Sequence, residues 1–457
     1  MFFSTTFAMP RPSAGKKRLR ESLLGISPSV ELRCRHPSRT GAEKVTRVTN
    51  VRILRGGKLS VEDLWHEGGK FVDPQARFWA SETANEFDPD EIIDGNGMIC
   101  APGFVDIQLN GAFGIDFSSP DITQKAVQRV ARGLLAHGVT AFCPTVVSSL
   151  SPTYRAILPR FRRTPSSAAN GAAVLGLHLE GPFMHPDKKG AHDIAAIHAP
   201  EKGLQSVMDC YGTLDNVSIV TLAPELPGSL DAIKALHALG VVVSSGHCMA
   251  DIRTAALAKK QGANLITHLF NAMPAFHHRD PGLVGLLGTM DQPYYGIICD
   301  GIHCHPASVK MAYAAHKHGV ILVTDAMAAL GLEPGLHKLG QMNVQITTDR
   351  AVIDQTDTLA GSIISMDRCV RGFREYTGCS VEEALLAASL HPATALGLDK
   401  KKGSLSFGAD ADFVLLDDDL VVHATYVAGE LGWQRSAGCV APLEAPKPDM
   451  ETPAHLY

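Results

Sequence analysis

The sequence predicts an α/β fold: a (β/α)8 TIM barrel carrying a small β-sandwich domain built from both chain ends. Three observations carry this expectation. Apolar strand candidates recur through the middle of the chain, helical patterns separate most of them, and hairpin-rich β segments flank that middle on both sides. At 457 residues, the chain can bury one large core or two unequal ones.

In chain order, residues 1–45 stand apart. "RPSAGKKRLRESLLG" is basic and "SPSVELRCRHPSRTGAEK" is polar and turn-rich, which fits a disordered or targeting extension. Glu21, Glu31 and the missing cleavage signal weigh against targeting. From Val48 onward, "VTNVRILRGGKL", "DLWHEGGKFVDP" and "DEIIDGNGMICAPGF" read as short strands broken by Gly-Gly and Asp-Gly pairs, as in hairpins. The same texture returns in "KGSLSFGADADFVLLDDDLVVHATYVAGELGW". Residues 46–101 and 398–435 are therefore expected to form one sandwich, with 436–457 as a loose, Pro-rich tail.

Between them, 102–397 is the expected barrel. Strand candidates fall at 104–109, 140–147, 174–179, 217–223, 241–245, 264–270, 294–299 and 319–324. In "TQKAVQRVARGLLAHG", Val127, Val130 and Leu134 share one helical face while Lys125, Arg129 and Arg132 point away. "DIRTAALAKKQGA" and "PASVKMAYAAHKHG" are further helices. The segment 330–365, with "VQITTDRAVIDQTDTLAGSI", breaks the rhythm as an inserted hairpin.

Composition narrows the function. A formal net charge of −5 gives no global sign of nucleic-acid or acidic-lipid binding, and no run approaches the roughly 20 apolar residues of a membrane span. Ten scattered cysteines without a CxxC pair read as reduced core residues of a cytoplasmic protein.

The chemistry is expected where barrel strands end. The stretch "VLGLHLEGPF" (174–183) leads an apolar strand straight to Glu180, an anion that costs several kcal/mol unless it is paired. Later strand candidates end near His247, His268 with Asn271, Asp300 with His303, and Asp325. Alone, a strand-end histidine is ordinarily a hydrogen-bonded structural residue and a strand-end aspartate a helix cap. Together at one mouth, one carboxylate and two imidazoles make a catalytic-metal set with a position left for water. Glu180, His247 and His268 are thus candidate metal ligands, and Asp325 a candidate proton carrier.

With these residues in place, the chain resembles the amidohydrolase superfamily, specifically its N-acetylglucosamine-6-phosphate deacetylase branch. The resemblance spans residues 48–433 through "APGFVDIQLNGAFGIDF", "GLHLEGPF", "KKGAH", "SSGH", "THLFNAM", "HHRDPGLVG", "DGIH", "VTDA" and "LAGS". It implies hydrolysis of an acetamide, with Glu180, His247 and His268 as ligands and Asp325 as general base and acid. It further implies substrate contacts at Ala191, His192, Asn271, Ala272, Arg279, His303, Leu359, Ala360 and Gly361, with His192 steadying the oxyanion. Many amidohydrolases end the first strand with a His-x-His pair holding another metal. Here "DIQLNG" places Gln108 and Asn110 there, which are poor ligands, so one divalent cation per subunit is expected: zinc, or iron, cobalt or manganese. The resemblance also implies a homodimer whose partner subunit contributes to the phosphate pocket.

Unaided, the residues fit any small anionic amide. Arg279 suits phosphate as an always-charged fork. His277 and His278 read equally as added charge or a solvated loop, and Lys188 and Lys189 as a solvated turn. Two rival functions remain: an amidohydrolase for a cyclic amide, which ordinarily needs two metals, and an inactive barrel acting as metabolite sensor or scaffold.

Overall fold

The computed structural model describes residues 31–34, 44–81, 87–339, 342–356 and 359–436. Most of the expected extension, and the tail beyond 436, lie outside the described residues. Within the extension, Glu31–Cys34 is a strand paired antiparallel with Glu91–Asp94.

The middle of the chain forms a parallel barrel of strands β1 (Phe104–Leu109), β2 (Val139–Val147), β3 (Leu177–Glu180), β4 (Val217–Leu222), β5 (Val242–Ser245), β6 (Ala263–Ile266), β7 (Tyr294–Ile297) and β8 (Val320–Leu322). Each strand pairs in parallel with the next, from β1–β2 through β7–β8. Closure falls to the residues after β8: the Asp325 N–H donates to the Gln108 carbonyl (2.9 Å) and Ala326 bridges Leu109. Strands buried on both faces are mostly apolar, which is why β2 reads as a nearly continuous hydrophobic run, while β1 carries buried Asp106 and Gln108 within an otherwise apolar stretch.

Helices cover the barrel. In α1 (Gln124–Leu134), Val127, Val130 and Leu134 are buried as the periodicity predicts, and the Thr123 hydroxyl caps its start by accepting from the Ala126 N–H. Helices α2 (Ile252–Gln261) and α3 (Pro306–Ala315) match the other two patterns.

Three expectations need correction. The strands toward the carboxyl rim are shorter than their apolar runs, ending at Ile266, Ile297 and Leu322, because the chain turns out of the sheet to present polar side chains. The run at 174–179 is broken at Gly176 (φ 119°), where an added Cβ would meet the Ser218 Oγ at 2.3 Å. The inserted hairpin is instead a four-stranded antiparallel sheet covering Gly335–Leu339, Met342–Ile346, Ala351–Ile353 and Leu359–Gly361.

Two mixed sheets lie outside the barrel, one of five strands and one of six. Strand Ile99–Pro102 pairs with Phe413–Leu416, which joins the two ends of the chain in one sheet. Between the sheets lies a core separate from that of the barrel, containing Val48, Ile53, Leu64, Phe71, Phe413 and Tyr426. Lys402 ties this sandwich to the barrel: its buried ammonium contacts Asp412 (2.5 Å), Asp410 (2.8 Å) and the barrel's Ser166 hydroxyl (3.1 Å). Among the described residues, no helix is long and apolar enough to cross a membrane.

The sandwich contains a pH-sensitive weak point. His66 is buried beside Phe413 with its Nε2 unpartnered among the described residues; burial, then the Lys44 charge, lowers its pKa to about 4. Its neutral form folds at no cost above the unfolded pKa near 6.5, and that stability is lost as pH falls toward 4. Urea titrations should therefore find the fold weaker by about 2 kcal/mol at pH 5 than at pH 8 on account of this residue. The deficit should be missing in His66→Gln.

Candidate active site

Glu180 ends β3 with its side chain almost wholly buried. Its Oε1 lies 3.2 Å from the His247 Nε2 and 3.1 Å from the His268 Nε2, and these nitrogens are 2.9 Å apart. Three potential ligand atoms thus surround a common point. The Gln108 amide donates to the same Oε1 (2.9 Å). Burial alone would raise the Glu180 pKa, but the imidazoles' hydrogen bonds and charges bring it well below the usual carboxylate range.

The backbone turns sharply to bring these side chains together. His247 (φ 49°), His268 (φ 29°) and Asp325 (φ 46°) all adopt the left-handed conformation, unfavourable for residues with a Cβ. Hydrogen bonds on both sides hold them there. Around His268, the Thr267 N–H donates to the Ser245 carbonyl (3.0 Å) and the Leu269 N–H to the Gly296 carbonyl (2.7 Å). Around His247, the N–H groups of Gly246 and Cys248 donate to the carbonyls of Leu222 (3.3 Å) and Ala272 (3.1 Å). The Gly181 carbonyl, next to Glu180, accepts from the buried hydroxyls of Tyr211 (2.7 Å) and Tyr154 (3.0 Å).

Hydrogen bonding fixes the tautomers of His247 and His192. The His247 Nδ1–H donates to the Lys188 carbonyl (2.8 Å), leaving its Nε2 a lone pair aimed at Glu180. His192 is the reverse: its Nδ1 accepts from the Ser148 N–H (3.1 Å), so its proton sits on Nε2. Burial above all holds His192 neutral by lowering its pKa to about 3. His192 therefore presents a donor where His247 presents an acceptor.

Asp325 follows β8 and is held by Asn110, whose amide donates to its Oδ1 (2.7 Å). Burial, then the nearby Glu180 charge, raises its pKa to about 7, against the pull of His268, Asn110 and His303. His303, after β7, donates from Nδ1 to the Asp300 carboxylate (2.6 Å).

The remaining sequence candidates divide. Half-buried Asn271 and Ala272 lie in the turn after His268, where the Asn271 N–H donates to the His268 carbonyl (2.9 Å). Leu359–Gly361 runs beside the Asp325 segment, where the Met327 N–H donates to the Ser362 carbonyl (2.9 Å). Ala191 is exposed beside His192. Arg279 sits in the exposed 277–280 turn with its guanidinium on His278 (3.2 Å), and no described contact ties it to Glu180. His277 and His278 are likewise exposed. Lys188 and Lys189 are half-buried rather than fully solvated, and they hold the loop: the Lys189 ammonium reaches the His192 carbonyl (3.2 Å). Sequence reasoning left Gln108 and Asn110 as failed ligands; they are the amide donors that orient Glu180 and Asp325. The roles of Ser148 and Asp300 had no sequence signal beyond their position at strand ends.

The donor set fits a divalent cation. The atoms of Glu180, His247 and His268 face one another without protons enough to pair them all, and a cation satisfies the lone pairs together. A wider grouping of Glu180, His192 and His247, within 4.8 Å, also has metal-ligand spacing. The tighter trio is the better cage, because Nδ1 of His192 is occupied by Ser148 and its Nε2 carries the proton.

A parallel barrel with a metal-binding carboxylate–histidine mouth defines a class of metal-dependent hydrolases, and the comparisons agree: the amidohydrolase family model matches residues 99–432, and the chain belongs to that family. Its relatives within the family include N-acetylglucosamine-6-phosphate deacetylases. The protein of that name from Bos taurus is 54% identical over 398 residues, 85% of this chain and 96% of the bovine one. That from Homo sapiens is 52% identical over 401 residues, 86% of this chain and 97% of its own. A solved variant of the Mycobacterium smegmatis enzyme, in complex with N-acetyl-D-glucosamine-6-phosphate, is 30% identical with a TM-score of 0.71, covering 86% of this chain and 100% of that one.

The two ligand groupings make opposite demands. His268→Ala should weaken metal affinity by more than about a hundredfold, whereas His192→Ala should stay within the 10–100-fold loss typical of a residue outside the coordination shell. Competition with a fluorescent chelator measures both.

Proposed function

We propose that this enzyme hydrolyses the acetamide of N-acetyl-D-glucosamine 6-phosphate, giving D-glucosamine 6-phosphate and acetate. The carrying observation is the convergence of Glu180, His247 and His268 on one point beside Asp325, in a chain about half identical to deacetylases of that name. In this reading the three residues hold one divalent cation per subunit, zinc being the first choice for a carboxylate with two imidazoles. When bound, the cation supplies a Lewis acid that polarises the amide carbonyl and acidifies water.

The chain's own residues do the rest. Asp325, buried and oriented by the Asn110 amide, accepts the proton of the attacking water and returns it to the departing amine. The His192 Nε2–H donates to the oxygen that gains charge as the carbonyl carbon becomes tetrahedral. Asn271, Ala272 and His303 line the sugar-phosphate side; Ala191 lies beside His192, and Leu359, Ala360 and Gly361 close the acetyl end. Gln108 and Asn110 support the mononuclear reading, because their amides already serve Glu180 and Asp325. That weighs against the cyclic-amide rival with its second metal, and the intact set of Glu180, His247, His268 and Asp325 weighs against an inactive scaffold.

The proposal extends to organisation. The separate sandwich core supports a division into 46–101 with 398–435 and a barrel of 102–397. A homodimer is supported by the exposed Phe276 and by Arg279, which has no acidic partner among the described residues and would serve a neighbouring subunit's phosphate site. The free, buried cysteines among the described residues support a cytoplasmic location.

Purified protein should release acetate from the phosphorylated sugar, far less from the unphosphorylated one, and none after chelation. Asp325→Asn should lower kcat by at least about a hundredfold with metal content unchanged; near wild-type turnover would rule out this proton path. Light scattering should give twice the chain mass.

A further inference from the structure

Two aspartates of the barrel are buried, hydrogen-bonded and outside the mechanism above: Asp106 within β1 and Asp300 in the loop after β7. Both oxygens of Asp106 are absorbed structurally, Oδ2 by the Thr324 hydroxyl (2.6 Å) and Oδ1 by the Gln108 and Thr324 N–H groups. Asp300 is different. Its Oδ1 accepts from the N–H groups of Ile302 (2.9 Å) and His303 (2.8 Å), which is all that a turn cap requires. Its Oδ2 is left over for the His303 Nδ1–H at 2.6 Å. The carboxylate is 6% exposed and the imidazole 16%, so this pair is screened far less than a surface one. With Nδ1 occupied, the other ring nitrogen, Nε2, takes no hydrogen bond among the described residues and is not sealed in the interior.

We propose that Asp300 is a positioning residue: by holding Nδ1–H of His303, it fixes the ring and presents a protonated Nε2 to the anionic end of the substrate. The proposal rests on the reading that the substrate carries a phosphate. The charge balance around the ring is consistent with it: burial works against a cationic His303, but the charge and hydrogen bond of Asp300, with Asp325 behind, prevail and raise its pKa. Burial likewise opposes ionisation of Asp300, and His303 with the two N–H donors overcomes it. Each member of the pair favours the charged form of the other.

Asp300→Asn tests this directly. It keeps a cap oxygen for the two N–H groups but cannot stabilise a cationic ring. KM for the phosphorylated sugar should rise about tenfold to a hundredfold, the loss of one charge-assisted hydrogen bond, with kcat changed less than about threefold. In a His303→Gln background, the same change should have no further effect on KM. Penalties that multiply, or an equal effect on the unphosphorylated sugar, would mean that Asp300 acts through the fold and would overturn the proposal. Nitrogen-15 NMR of the His303 ring in the wild-type holoenzyme needs neither a folded variant nor turnover, which separates this proposal from the assigned reaction. Both nitrogens should be protonated, and inorganic phosphate should move the Nε2 signal while the Nδ1 proton stays at low field. An unprotonated Nε2, or an Nδ1 proton that exchanges freely with water, would overturn it.

Discussion

A carboxylate sealed inside a protein must be neutralised, and the answer found for Glu180 organises the rest of this molecule. Its Oε1 draws two imidazoles from neighbouring loops and an amide from β1 to one point. An isolated ion there would cost several kcal/mol even after relaxation, so the surrounding fold has to supply compensation from several elements at once. The barrel does this because its strands deliver their ends to one rim whatever their separation in sequence. In this chain of the amidohydrolase family, that rim is where Glu180, His247, His268 and Asp325 gather.

The next layer consists of hydrogen bonds that decide what each polar atom can do. The Lys188 carbonyl makes His247 a lone-pair donor toward Glu180, while the Ser148 N–H makes His192 a proton donor only a few ångströms away. Two histidines of the same composition thereby acquire opposite chemistry. The rings meet edge to face with centroids 4.7 Å apart, so burial by itself could not have separated their roles. The same logic applies to the amides of Gln108 and Asn110, which act on carboxylates rather than on a cation.

Much of this was legible in the sequence. Alternating apolar strands and amphipathic helices fixed the barrel, because burial on both faces leaves strands such as β1 and β2 little choice of residue. Glu180, His247, His268 and Asp325 stood out because charged or basic residues closing apolar runs are costly unless they are used. The strand ends were read too long, since apolar runs such as 264–270 continue into loops that are buried but not extended. The left-handed turns at His247, His268 and Asp325 left no local signal: none is Gly, and tertiary hydrogen bonds impose the conformation. Tautomers and the Asp300–His303 pairing were invisible for a similar reason, being properties of contacts between elements or of side-chain direction. Arg279 shows the converse, a residue with suitable chemistry whose place within a single chain is an exposed turn.

The closure of the barrel has a consequence for durability. The backbone that seals β8 against β1 is the backbone of Asp325 itself, bonded to the Gln108 carbonyl, while the side chain of Gln108 reaches Glu180. The proposed proton carrier, the seam and the support of the proposed metal ligand therefore share a few neighbouring peptide units. This edge of the barrel cannot open as an independent local fluctuation and leave the reaction centre intact. Here mechanical integrity and chemical competence are the same property.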